Sequence, residues 1–235
     1  MKLYGLALVA ALGVASAPVE AATIALFNTG VDGAGTVLPD GTIGDPHYSL
    51  IAVPGGTTDV RVRTSAGGFP IPPYLGDSTT SAWIGPNNDS QLNSVPGTYI
   101  YRTTFNLSGF PSTAVINGGW SSDNDGLGIY LNGVLVSGPT SFSQFSTGYA
   151  PFSITTAFVL GLNELDFWVH NGGTGVGNNA PGNNPTALRV ELSGTVSEVP
   201  LPAALPLFAT ALVGGGVVAW RKRRKEKTQA LAALT

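Results

Sequence analysis

Between Thr23 and Val196 the apolar residues recur with a period of two, in short runs broken by Gly, Pro, Asn, Ser and Thr, and no segment sustains helical periodicity. Alternation is clearest in Leu165, Phe167 and Val169 against Asp166, Trp168 and His170. It recurs in Leu188, Val190 and Leu192 against Arg189 and Glu191. Strands of this kind bury one face and wet the other. The runs predict strands at 23–28, 48–53, 59–64, 98–107, 113–118, 127–131, 134–137, 152–160, 164–171 and 186–196. One hairpin is explicit: Asn132-Gly133, between Ile129-Tyr130-Leu131 and Val134-Leu135-Val136, supplies the two positive φ angles of a type I′ turn. About ten short antiparallel strands in one domain, joined by loops, form a sandwich or a barrel, and the long loops favour an all-β jelly-roll sandwich.

The two ends depart from this pattern. Lys2 is followed by an apolar stretch from Leu3 to about Val14 and then by small residues, the layout of a secretory signal peptide cut after Ala21. Near the other end, Val199-Pro200-Leu201-Pro202 precedes an apolar run from Ala203 to Trp220, and Arg221-Lys222-Arg223-Arg224-Lys225 closes it. Eighteen helical residues at roughly 1.5 Å each span about 27 Å, close to the hydrocarbon thickness of a bilayer. Basic residues beside a span stay on the cytoplasmic side, which places everything before Ala203 outside. The expected organisation is therefore a signal peptide (1–21), an ectodomain (22–198), a sorting and anchoring segment (199–225, transmembrane helix 203–220) and a short cytoplasmic tail (226–235).

The order of these terminal elements resembles that of bacterial PEP-CTERM proteins, which carry a leader, a secreted domain, a Pro-containing motif, one membrane helix and an Arg-rich cluster. Val199, Pro200 and Pro202 match the motif, and Leu201 stands where the family's namesake pattern has Glu. The resemblance implies that an exosortase, a membrane cysteine transpeptidase, is the partner that reads the motif. The chain would be its substrate. Delivery would be to the cell envelope, as a single-pass protein with an external ectodomain or as one released into the exopolysaccharide matrix.

Composition narrows the chemistry. The chain has no cysteine, so disulfides, thiolate metal sites and Cys nucleophiles are excluded. The ectodomain carries twelve Asp and Glu against four Arg (Arg61, Arg63, Arg102, Arg189) and no Lys, a net charge near -8 (four minus twelve). Such a surface repels nucleic acid and anionic headgroups and tolerates neutral sugars and divalent cations.

A second resemblance concerns the ectodomain. Tyr101-Arg102-Thr103-Thr104-Phe105-Asn106-Leu107, Ile129 to Val134, and Gly161-Leu162-Asn163-Glu164-Leu165-Asp166-Phe167 look like successive segments of the galactose-binding-like jelly roll. They are most similar to the sugar-binding domain of family-two glycoside hydrolases. That resemblance implies an accessory module without catalytic residues.

Candidate chemistry is sparse. The close carboxylate pairs are Asp123 with Asp125 and Glu164 with Asp166; a glycosidase sets its two acids across a cleft, which spacing alone does not show, so a secreted hydrolase is the most distant reading and no catalytic residue is assigned. His47 and His170 are the only histidines, which excludes a three-His zinc site, and no Gly-x-Ser-x-Gly elbow occurs. No cofactor is implied; a loop such as 32–40 could hold a structural Ca²⁺, but no ligand set is identifiable. Sugar recognition needs an aromatic ring beside groups that bond hydroxyls. Trp120 near Asp123 and Asn124, and Trp83 near Asn87 and Asn88, offer that pattern, with neutral glycans as the expected ligand. Trp83 and Trp168 fit a core position and a site equally well, and Trp120 fits a core position slightly better. If Trp120 is buried, a purely structural or adhesive ectodomain becomes the stronger reading.

Overall fold

A computed structural model describes residues 21–55, 58–69, 71–86, 94–172 and 185–197. The leader other than Ala21, and the motif, apolar run and basic cluster expected at 199–225, lie outside the described residues.

Eleven strands are described: β1 (Ala21–Thr23), β2 (Ser49–Ala52), β3 (Val60–Arg63), β4 (Trp83–Pro86), β5 (Gly97–Leu107), β6 (Val115–Asp123), β7 (Asp125–Leu131), β8 (Val134–Ser137), β9 (Ala150–Ile154), β10 (Gly161–Asn171) and β11 (Ala187–Ser197). One helical turn, α1 (Gln144–Thr147), precedes β9. The strands form two antiparallel sheets. The first has the order β3-β4-β11-β6-β9, with β1 also pairing β11; the second has the order β2-β5-β10-β7-β8. The chain crosses repeatedly between them, from β4 to β5 to β6 to β7 and again from β8 through β9 and β10 to β11.

The period-two pattern explains which faces meet. Leu165, Phe167 and Val169 of β10 are buried, as are Leu188 and Val190 of β11, and these inward faces close one core with Tyr99, Tyr101, Ile116, Trp120, Ile129 and Ile154. Phe167 lies at its centre, with ring centroids 5.8 Å from Trp120 and 6.2 Å from Phe152. The described residues form an all-β sandwich.

The Asn-Gly hairpin forms as its sequence demands. Asn132 and Gly133 have φ of 51° and 79°, and Leu131 pairs directly with Val134. Asn132 also ties the turn to its neighbours, donating through Nδ2 to Ala157 O (2.8 Å) and Asn163 Oδ1 (2.9 Å). Buried Asn163 in turn donates to Val159 O and Gly161 O and accepts from the Val159 amide. The Asn-Gly and Gly-Leu-Asn segments thus lock one end of the sandwich.

Three expectations need correction. The run at 23–28 is paired as a strand only through Thr23, so β1 spans Ala21–Thr23. The run at 152–160 ends as a strand at Ile154, beyond which Ala157 turns the chain with φ of 67°. The strand expected at 113–118 begins at Val115 and continues to Asp123, pairing with β11 along its whole length. In addition, β4 is a strand that the period-two pattern does not predict.

Candidate functional site

The longer β6 decides the fate of the residues expected to bind a sugar. Successive residues of a strand point to opposite faces, so Trp120 and Asp123, three apart, cannot converge. Trp120 points into the sandwich and is 1% exposed. Its indole closes against Gly126 of β7, where a methyl group would overlap the ring. No face of Trp120 is open to a pyranose. The expectation that it stacks on a glycan is therefore corrected: it is a core residue.

Asp123 points outward but is not free. The first sheet's outer face is covered near this point by the segment between β3 and β4, which contributes Phe69 and Tyr74 to a small satellite core with Trp83 and Ala187. Trp83, fully buried, donates from Nε1 to Leu75 O (3.0 Å) and meets Tyr74 edge-on at 5.2 Å. The Tyr74 hydroxyl donates to Asp123 Oδ2, and Asn124 Nδ2 donates to Asp123 Oδ1 (2.8 Å). Asn124, also buried, accepts from the Gly172 amide at 2.7 Å. Burial pushes the Asp123 carboxyl up to about 7, against the opposing bonds from Tyr74 and Asn124, and Asp125 adds to the rise. The structure thus joins Asp123, Asn124 and, through Tyr74, Trp83. They form a sealed polar knot rather than a cleft.

The early acids are used locally. Asp32 accepts from the amides of Ala34 and Thr36, Asp40 from the amide and hydroxyl of Thr64, and buried Asp45 from the amides of Gly30, His47 and Tyr48. Among the described residues no group of three or more His, Asp or Glu is placed to hold a metal ion.

Two polar surfaces escape a reading of the sequence. On the outer face of the second sheet, Arg102 of β5 forks onto Asp166 of β10 (Nε to Oδ1 2.6 Å, Nη2 to Oδ2 2.8 Å), and its Nη1 reaches Glu164 at 2.7 Å. Hydrogen bonding to Asp166 raises the Arg102 pKa, and the nearby Glu164 charge adds to this. Beside this cluster Tyr130 and Trp168, both partly exposed, pack with ring centroids 4.7 Å apart. Tyr130 is directly opposite Asp166 and Trp168 is two residues further along β10, so rings and ions share one face. The sequence does carry a signal for this face: the same alternation that buries Phe167 sends Trp168 outward.

The second surface is an open groove of about 350 Å³ on the first sheet, lined by Asn28, Asn117, Gly118, Glu191, Leu192 and Ser193. Glu191 Oε1 accepts from Thr80, Ser81 and Tyr149 at 2.8, 2.7 and 3.0 Å. Partial burial acts to raise its pKa, but these donors, with Arg189 nearby, outweigh it and hold the carboxyl below its usual range.

No protein-family model matches the chain, and no curated protein matches it in sequence. Function has to be argued from the residues.

Proposed function

We propose that the chain is an exported component of the bacterial envelope or its exopolysaccharide matrix, sorted by an exosortase, with a non-catalytic jelly-roll ectodomain of the galactose-binding-like kind. The observation that carries this reading is the ordered string Val199 to Pro202, Ala203 to Trp220 and Arg221 to Lys225, placed two residues after the last paired residue of the sandwich, Ser197. Among the described residues no helix is long and apolar enough to cross a membrane. The repeated passage of the chain between sheets supports the jelly-roll assignment. Support for a non-catalytic role comes from the carboxylates that look paired in sequence. Asp166 and Glu164 neutralise Arg102, and Asp123 is closed under Tyr74.

The test separates motif from topology. Pro200→Ala with Pro202→Ala is expected to block maturation in the native host, read as the mass of the mature protein, while neutralising Arg221 to Lys225 scrambles orientation, read by protease protection. Normal maturation of the double Pro variant would remove the exosortase from the account.

A second reading has its own observation. The Tyr130 and Trp168 rings beside Arg102, Asp166 and Glu164 supply an apolar platform flanked by hydrogen-bonding groups, the combination that a neutral glycan requires. If the ectodomain binds sugar, it does so there and not at Trp120.

A further inference from the structure

The strands of both sheets end together at the end of the sandwich where the chain leaves for its C-terminal segment. Ser197 closes β11 there; its carbonyl accepts from the Phe110 amide (3.1 Å) and its amide donates to Thr113 Oγ1 (3.0 Å). Leu107 pairs with Gly161, so the 108–114 and 155–160 loops are neighbours, and Asn132 bonds the hairpin turn to the second of them. The two loops present Phe110, Val159 and Leu160 to solvent, and the adjoining first residue of β8, Val134, and second residue of β10, Leu162, are exposed beside them, with Leu160 at 68%, Leu162 at 57% and Val134 at 53% exposure. Isolated exposed apolar residues are ordinary, but five gathered at one end of the sandwich are not.

Charge is sparse at this end, where Glu164, one residue past Asn163, is paired with Arg102 on the outer face of the second sheet. Segments 108–114, 132–134 and 155–163 contain no Asp, Glu, Lys or Arg, although the ectodomain as a whole is strongly acidic. Asp123 and Asp125 lie at the opposite end, where β6 passes into β7. Glu20 and Glu198, which adjoin the two ends of the described chain in sequence, lie outside the described residues. The rim is also held in shape before it meets anything, because Asn132 and Asn163 fix the turns that carry Val134, Val159 and Leu162.

We propose that this apolar, uncharged rim is a membrane-contacting surface, which seats the ectodomain on the outer surface of the bilayer crossed by its own C-terminal run. This rests on the membrane-anchor reading above. Five residues lie between Ser197 and Ala203, and the six Cα-to-Cα steps between those two, even fully extended, reach about 20 Å. A strand such as β10, of 11 residues, is itself roughly 36 Å long. Side chains such as Leu160 and Leu162 then enter the boundary between headgroup and acyl chain, where apolar groups gain and charged groups lose. The occupant is lipid; a second copy of the chain is the competing possibility that the test separates.

The absence of cysteine makes the test direct. Leu160→Cys and Phe110→Cys are made in the full chain, with Leu127→Cys, an exposed apolar position at the acidic end, as the control. Each is labelled with a single fluorophore and reconstituted in phosphatidylcholine vesicles. Flotation reports the anchor; quenching reports the rim. The labels at 160 and 110 are expected to be several-fold less accessible to aqueous iodide than the label at 127, and to be quenched by a nitroxide placed in the acyl chains. Adding Leu162→Ser is expected to restore iodide access at 110. Co-flotation with equal iodide access at all three sites overturns the rim proposal alone. Protection from iodide without quenching by the lipid nitroxide assigns the rim to a second copy and also overturns it. Failure to float removes the anchor reading and the rim proposal with it.

Discussion

Asp123 is a carboxylate held out of water at the end of a strand, where the chain leaves the sheet beneath a loop. Its folded pKa of about 7 stands well above the 3.8 of an unperturbed Asp, and burial is the main cause. The folded state binds this proton more tightly than the unfolded state does, so the contribution is fully present below about pH 4 and is lost as pH rises toward 7. Asp123→Asn keeps an acceptor for its neighbours and removes the charge. The stability advantage of the variant over wild type is expected to grow between pH 4 and pH 7 and to level off above. Its size is on the order of a few kcal/mol, because each pH unit between the unfolded and folded pKa values is worth about 1.36 kcal/mol. Urea unfolding of both proteins across that range is the measurement; parallel profiles would show that the carboxyl titrates normally. Trp120 teaches the converse at the same scale. In sequence it looks like a sugar platform because it stands near Asp123 and Asn124, just past the strand expected to end at Gly118. The strand instead runs on through Trp120, and Gly126 makes room for the indole.

At the scale of elements, what can be read depends on local alternation. β5 and most of β10 are legible nearly to the residue because each has a dry face and a wetter one, whereas β8, exposed at Val134 and Leu135, is legible from the Asn-Gly turn before it. β4 is not, because Trp83, Ile84, Gly85 and Pro86 are all buried: Ile84 faces the main core and Trp83 the satellite core. A short strand covered on both faces shows no alternation, and its Pro argues against a strand. The cover over Asp123 is equally hidden, since it comes from Phe69 and Tyr74, far earlier in the chain. The second sheet's outer face is legible but easily undervalued. There the glycan reading makes a prediction that separates two tryptophans by the face of the strand each occupies. Trp168→Ala is expected to abolish retention of neutral glycans on an array while leaving urea unfolding nearly unchanged. Trp120→Ala should instead destabilise the domain by about 3–5 kcal/mol, as large-to-small core substitutions do, and leave glycan retention intact wherever the protein is folded. If Trp168→Ala retains the same glycans as wild type, or wild type retains none, the face is not a sugar site and the structural reading of the ectodomain stands.

For the whole molecule, the decisive feature is that the sandwich begins and ends on the same pair of strands. Ala21, Ala22 and Thr23 pair with Ser197, Val196 and Thr195, so the entry and exit of the domain close each other. The proposed sorting motif starts at Val199, two residues past the last pair. Cutting there takes no described hydrogen bond from the sheet and no residue from either core, which lie wholly between Ala22 and Val196. Processing of the anchor should therefore leave folding stability unchanged. A fragment ending at Ser197 is expected to unfold in one cooperative transition, β-rich by circular dichroism, with the urea midpoint of the full chain in vesicles. A fragment ending at Leu192 should behave differently, because it removes every β11 partner of β1, the carbonyl of Gly194 that receives the Ile24 amide, and the buried side chain of Val196. Its midpoint should fall clearly below that of the longer fragment. A loss of cooperativity already in the fragment ending at Ser197 would sink this expectation, because the ectodomain would then depend for its fold on residues beyond Ser197.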